Sequence, residues 1–125
     1  MSKSSTARVA IVDDDASVRR ALARLIGACS FNPQTFGSAR EFIDSLPAGL
    51  PDCLVLDLQM PDMTGLDLQR HLTRSGVKIP TIVITAHNDP GFRQRCESAG
   101  AIAYLLKPLN ETTLIAAINS ATRRV

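Results

Sequence analysis

The sequence predicts an α/β fold: a single domain built on a doubly wound, five-stranded parallel sheet with five helices. Three observations lead there. Short β-rich runs, most of them almost continuously apolar, alternate with segments of helical spacing, the pattern of βα units joined by right-handed crossovers. Strands that read as unbroken apolar runs need cover on both faces, which parallel sheets provide. At 125 residues the chain suits one domain and is far too short for a (β/α)₈ barrel.

Taken in order, Arg8 to Val12 (RVAIV) is the first strand. Val18, Leu22, Leu25 and Cys29 then form the apolar stripe of a first helix, with Asp15 placed as its N-cap. Phe31 to Phe36 alternates more and contains Pro33, which suits an edge strand. A second helix follows on Ala39, Phe42 and Leu46, opened by the capping box Ser38-Ala39-Arg40-Glu41. The break Pro47-Ala48-Gly49-Leu50-Pro51 leads to the strand Cys53 to Leu56, and a loop beginning at Leu58 leads to a helix carrying Leu68 and Leu72. After Ser75-Gly76 come the strand Thr81 to Ile84 and a helix with Phe92, Cys96 and Ala99, capped by Asp89 with Pro90 at its first position. Gly100 precedes the last strand, Ala101 to Leu106, and Asn110 caps a helix striped by Thr112, Ile115 and Ile118. Residues 1–6 read as a flexible tail and 7–125 as the domain.

Composition narrows the function classes. The chain is 45% hydrophobic and 21% charged, with a formal charge of +2. Scattered Lys and Arg at so small a net charge give no basis for a nucleic-acid surface, and Arg123-Arg124 reads as a solvated helix end. Cys29, Cys53 and Cys96 lack the close spacing of zinc or redox motifs, so reduced, buried thiols in a cytoplasmic protein are expected. The longest apolar run, Ala101 to Leu106, is too short to span a membrane, and MSKSST lacks the apolar core of a signal peptide.

The chemistry sits just past the strand ends. Asp13 and Asp14 follow RVAIV, Asp57 follows CLVL, Thr85 follows TIVI, and Lys107 follows AIAYLL. In open parallel sheets ligands bind outside the carboxyl ends of the strands. Three carboxylates gathered there repel one another and raise their pKa values unless a cation intervenes, and an all-oxygen set suits Mg²⁺. With the Lys107 ammonium the cluster sums to −2, which a divalent ion would cancel. A dianionic phosphoryl group entering the site would engage the metal, Lys107 and the Thr85 hydroxyl. A carboxylate can itself attack phosphorus, and Asp57 is the candidate nucleophile. A charge following so buried a run otherwise lacks a reason to be there. His71 and His87 read as surface or loop residues.

Together IVDDD, LVLDLQMPDMTGLDL, IVITAH and AYLLKP resemble, in order and from about Arg8 to Ala121, the receiver domain of bacterial two-component response regulators. The resemblance implies a flavodoxin-like strand order 2-1-3-4-5 and a cis Lys107-Pro108 bond. It implies Asp57 as phosphoacceptor, Asp14 as a direct Mg²⁺ ligand, Asp13 as a ligand through water or a support, and the Gln59 backbone carbonyl as a further contact. Thr85 and Lys107 match the phosphoryl-contacting positions, and Tyr104 matches the aromatic switch position. Phosphorylation would draw in Thr85, let Tyr104 turn inward, and repack the surface of the fourth helix, fifth strand and fifth helix, where a homodimer could form. A sensor histidine kinase is the implied partner, docking on the first helix around Val18, Arg19 and Leu22. Leu109, where an aromatic is frequent, and Pro90-Gly91 at the start of the fourth helix depart from common forms.

Two readings from other classes compete. An aspartate phosphatase of the haloacid dehalogenase type also forms an aspartyl phosphate, but it wants an acid two residues after the nucleophile, where this chain has Gln59. A flavodoxin-like or pseudo-receiver module would act without phosphate. The acidic set is complete, and no Ser/Thr/Gly-rich phosphate loop follows the first strand. The domain is expected to be no enzyme beyond its own phosphorylation and dephosphorylation. The ending just after the fifth helix fits either a stand-alone receiver or one cut from a regulator whose helix-turn-helix output domain contacts DNA. The PDMTGLDL and IAAINSA segments favour the second.

Overall fold

The structure, a computed structural model, describes residues 6–123. Five βα units follow one another: β1 (Arg8–Val12), α1 (Ala16–Ala28), β2 (Asn32–Phe36), α2 (Ala39–Ser45), β3 (Cys53–Asp57), α3 (Gly65–Arg74), β4 (Thr81–Thr85), α4 (Pro90–Ser98), β5 (Ala101–Leu106) and α5 (Glu111–Thr122). All strand pairs are parallel, and the sheet order is β2-β1-β3-β4-β5. The expected tail lies outside the described residues except for Thr6, which is exposed and irregular.

Alternation along the strands feeds two opposite layers. Val9 and Ile11 of β1 point to a core shared with Leu22 and Ile26 of α1 and Leu114 and Ile118 of α5. Ala10 and Val12 point to the other face, against Phe42 of α2 and Leu68 and Leu72 of α3. A third cluster joins Val83, Tyr104, Leu58 and Leu66 to Cys96, the one buried residue of α4. This is why the central strands read as unbroken apolar runs: neither face meets water. Pro33 sits in edge strand β2, where a missing N–H is tolerated.

Three helix stripes differ in detail from the sequence expectation. In α1 the inward positions are Leu22 and Ile26, four apart, while Cys29 is exposed beyond the last turn. Cys53 and Cys96 are buried as expected, and burial pushes the Cys53 thiol up to about 12. In α5 Leu114 and Ile118 are buried, and Thr112 faces solvent. Phe92 of α4 is 39% exposed. The reason is common to all three: one face of a 3.6-residue helix is fixed by its tilt on the sheet, which a spacing pattern leaves free by one position.

Caps hold the loops at the carboxyl end of the sheet. Asp15, Asp89 and Asn110 accept from first-turn N–H groups as expected. Ser38 accepts from the Glu41 N–H, but the Glu41 carboxylate reaches back to the Gly37 N–H instead of closing a box on Ser38. A complete capping box forms at Thr64 and Asp67, which opens α3 directly behind the loop after Asp57. The Pro47–Pro51 break contains a short 3₁₀ turn, Leu46–Ala48.

Candidate functional site

Asp57 is the last residue of β3, the central strand, and is only 4% exposed. Asp13 directly follows β1, the neighbour of β3, and is fully buried; Asp14 beside it is exposed. Carboxylate oxygens of all three lie within 4.8 Å of one another. β5 delivers Lys107 from beyond β4, and the Lys107 N–H donates to the Thr85 carbonyl at 2.7 Å. Its ammonium lies 3.3 Å from Asp13 Oδ2 and 3.6 Å from Asp57 Oδ1. The Lys107-Pro108 bond is cis.

The electrostatics follow from this placement. Burial, and then the Asp13 charge, push the Asp57 carboxyl up from 3.8 to about 6; Lys107 and the Gln59 N–H, 3.4 Å from Asp57 Oδ1, pull the other way. One ammonium is not enough for the acids around it. Asp15 belongs to the helix instead: bonds from the Ser17 hydroxyl and the Ser17 and Val18 N–H groups hold its carboxyl below the ordinary value.

The remaining expected residues occupy two settings. Gln59 is exposed in the loop after β3. Thr85, fully buried at the end of β4, accepts from the His87 N–H at 3.2 Å. Tyr104 is 8% exposed, its ring packed in the third core cluster, and its hydroxyl donates to the His87 carbonyl at 3.2 Å. The ring is thus already inside, whereas the sequence scheme has it turn inward. Leu22, placed on the kinase-docking face by the sequence reading, is a core residue at 5% exposure. Core packing claims it because it projects toward the sheet.

Sequence reasoning missed three contributors. The Arg19 guanidinium donates to the Asp13 carbonyl at 2.7 Å and so braces the acidic pair from α1. The His87 backbone connects Thr85 to Tyr104, a role no side-chain pattern announces. Gly65 starts α3 so close to β3 that an added Cβ would stand 2.5 Å from the Asp57 carbonyl oxygen. The TG in PDMTGLDL carried that signal: a cap residue followed by a glycine at the first helical position.

An oxygen-only donor set, crowded enough to raise a carboxyl pKa and open on the Asp14 side, fits a hard divalent cation such as Mg²⁺. Among the described residues no helix is long and apolar enough to cross a membrane.

Comparison with known proteins agrees with this geometry. Residues 9–119 match the family model of the response regulator receiver domain. Nodulation protein W of Bradyrhizobium diazoefficiens is 40% identical over 121 residues, 97% of this chain and 53% of that protein. Transcriptional regulatory protein FixJ of Rhizobium meliloti is 38% identical over 117 residues, 94% of this chain and 57% of that protein. The chain thus spans about half the length of the curated relatives it matches. The solved structure of FixJ-N superposes with a TM-score of 0.88 at 36% identity, covering 97% of each chain. The family match decides against a haloacid dehalogenase. Strand order, cluster and relatives point the same way, and the chain belongs to the response regulator receiver domain family, the signalling modules of two-component systems.

Proposed function

We propose that this domain is a phosphoryl-accepting switch in which Asp57 is the acceptor and a sensor histidine kinase the donor. The observation that carries the reading is the Lys107 ammonium held within 3.3 Å and 3.6 Å of Asp13 and Asp57 at the rim of a three-carboxylate cluster. A lone buried carboxylate is costly, but one matched to a cation and beside an ammonium is ready to attack. An Asp57 oxygen bonds to phosphorus as the P–N bond of a phosphohistidine breaks and its electron pair returns to the imidazole. Asp13, Asp14, Asp57 and the Gln59 carbonyl are the residues that would hold Mg²⁺, which when bound supplies positive charge against the incoming dianion. Lys107 adds its own charge to the same oxygens. Arg19 keeps Asp13 in place throughout.

The switch uses the Thr85–His87–Tyr104 chain. The Thr85 oxygen is engaged by the His87 N–H, which leaves the hydroxyl proton to donate to a phosphoryl oxygen. Movement of Thr85 would carry the His87 backbone and with it the partner of the Tyr104 hydroxyl. Reversing a strongly one-sided two-state balance takes about 5.5 kcal/mol, within reach of several charge-assisted hydrogen bonds. Ile102 and Leu106 of β5, on either side of the buried Tyr104, are 53% and 41% exposed, and Phe92 lies exposed on α4. This apolar surface supports output through α4, β5 and α5, including homodimer formation. Kinship with a transcriptional regulatory protein supports DNA control through an output domain not in this sequence, in the cytoplasm. The domain is taken as residues 7–125.

The test is incubation with acetyl phosphate and Mg²⁺, followed by intact-mass measurement. A single hydroxylamine-sensitive adduct is expected, absent in Asp57→Asn. Labelling that persists in Asp57→Asn refutes the assignment. Thr85→Ala should accept phosphate yet show weakened phosphate-dependent changes in the Tyr104 environment.

A further inference from the structure

Tyr104 is held at two points, and only one of them belongs to the loop after β4. Its hydroxyl donates to the His87 carbonyl at 3.2 Å. Its ring lies under the Arg93 guanidinium of α4, whose Cζ stands 5.9 Å from the ring centroid. The Arg93 side chain is 59% exposed, whereas Tyr104 is buried, so the contact runs from solvent to the third core cluster. The electron-rich face of a phenol ring attracts a cation placed over it. Burial raises the Tyr104 hydroxyl above its ordinary value, and the Arg93 charge is among the groups that pull it back.

The surroundings favour this use of Arg93. Its Nε donates to Glu97 Oε2 at 3.2 Å, one turn along α4. So exposed a pair adds little stability, but it narrows the orientations open to the guanidinium. Cys96 is the one buried residue of α4, and the Gln69 Nε2 of α3 donates to the Cys96 carbonyl at 3.1 Å. Gln69 Oε1 has no hydrogen-bond partner among the described residues, so the amide ties α4 down through one bond. Arg95 also meets an aromatic, 5.1 Å from the Phe92 ring, but that ring is itself exposed on α4. Arg93 instead reaches from the helix to a ring of β5.

We propose that Arg93 is a latch that keeps the Tyr104 ring inward before any phosphoryl group arrives. The unphosphorylated chain then already populates the inward arrangement. Phosphoryl transfer acts on the hydroxyl end, through Thr85 and His87, and leaves the ring where it is. The latch itself needs no phosphorylation, whereas its meaning for switching rests on the proposed function.

Tyr104 is the only tyrosine and the chain has no tryptophan, so tyrosine fluorescence reports on this ring alone. The experiment measures acrylamide quenching of the unphosphorylated chain; an uncharged quencher does not respond to the altered charge of a variant. The parent should be quenched far less than N-acetyltyrosinamide. In Arg93→Gln the outward fraction, read from the quenching constant, should rise about two- to fivefold. Arg93→Lys, which keeps a cation, should stay nearer the parent, and Arg95→Gln should match it. Unchanged far-ultraviolet circular dichroism is the control for folding. A second reading needs no variant: the Arg93 Hδ protons of the parent should show upfield ring-current shifts. Parent quenching at the level of N-acetyltyrosinamide overturns the proposal. So does an Arg93→Gln constant equal to the parent's, an equal rise in Arg95→Gln, or unshifted Arg93 Hδ protons. Repeating the measurement with acetyl phosphate and Mg²⁺ separates the two readings. Absence of an adduct by intact mass refutes the proposed function and leaves the Arg93 comparison standing, whereas an adduct that sharply lowers quenching of the parent overturns the latch.

Discussion

Replacing Asp57 with Asn should stabilise the metal-free domain, and the gain should depend on pH. The folded-state carboxyl is raised from 3.8 to about 6, chiefly by burial and secondly by Asp13. Below 3.8 the group is protonated in both folded and unfolded chains and contributes nothing. Between 3.8 and about 6 the unfolded chain gives up its proton while the folded chain keeps it, so stability falls as pH rises. Above that window the penalty is constant at about 3 kcal/mol, and linkage leaves about 1 kcal/mol of it near pH 4.5. Asparagine keeps the shape and can still accept from the Gln59 N–H, but it carries no charge to desolvate. With a urea m-value of about 1.5 kcal/mol/M, the midpoint of Asp57→Asn should lie about 2 M above the parent near pH 8 in EDTA. The assay is urea unfolding of both proteins near pH 8 and pH 4.5, with EDTA and with saturating Mg²⁺. Magnesium should narrow the gap by stabilising the parent more than the variant. A variant no more stable than the parent near pH 8, or a gap equal at both pH values, would show that the crowding of Asp57 is not as described.

Three further outcomes are expected. Lys107→Met leaves Asp13 and Asp57 facing each other without their shared cation; since Lys107 is partly exposed, the loss should be about 1–3 kcal/mol in EDTA, and smaller with Mg²⁺, by denaturant unfolding. Gly65→Ala places a Cβ 2.5 Å from the Asp57 carbonyl oxygen, a backbone atom that cannot step aside; it should cost about 1–3 kcal/mol in the same assay and slow labelling by acetyl phosphate. Amide hydrogen exchange should find α4, with Cys96 as its one buried residue, opening more readily than α3, where five residues are buried.

The elements and the acidic set were legible because both follow from local rules. A strand covered on two faces must be apolar throughout, and a charge placed directly after it stands out against that run, as Asp57 does after CLVL and Asp13 after RVAIV. Asp15, Asp89 and Asn110 could be read as caps because the unsatisfied N–H groups of a first turn select such residues wherever they occur. The strand order and the cis bond needed the family resemblance, since no spacing encodes which strand neighbours which.

What the chain order alone settled, then, is the alternation of strand and helix and the supply of Asp13, Asp14, Asp57, Thr85 and Lys107 at the strand ends. Tertiary structure decided everything that depends on through-space distance. It chose Ile26 over Cys29 and Leu114 over Thr112 for the core. It put Lys107 between two carboxylates drawn from other strands, and Arg19 on the Asp13 carbonyl. It used the His87 backbone to join Thr85 and Tyr104, and it left one oxygen of Gln69 without a donor. Backbone groups are the same in every residue but proline, and a helix tilt or a strand crossover moves side chains by whole contacts, so these pairings arise only when the layers close on one another.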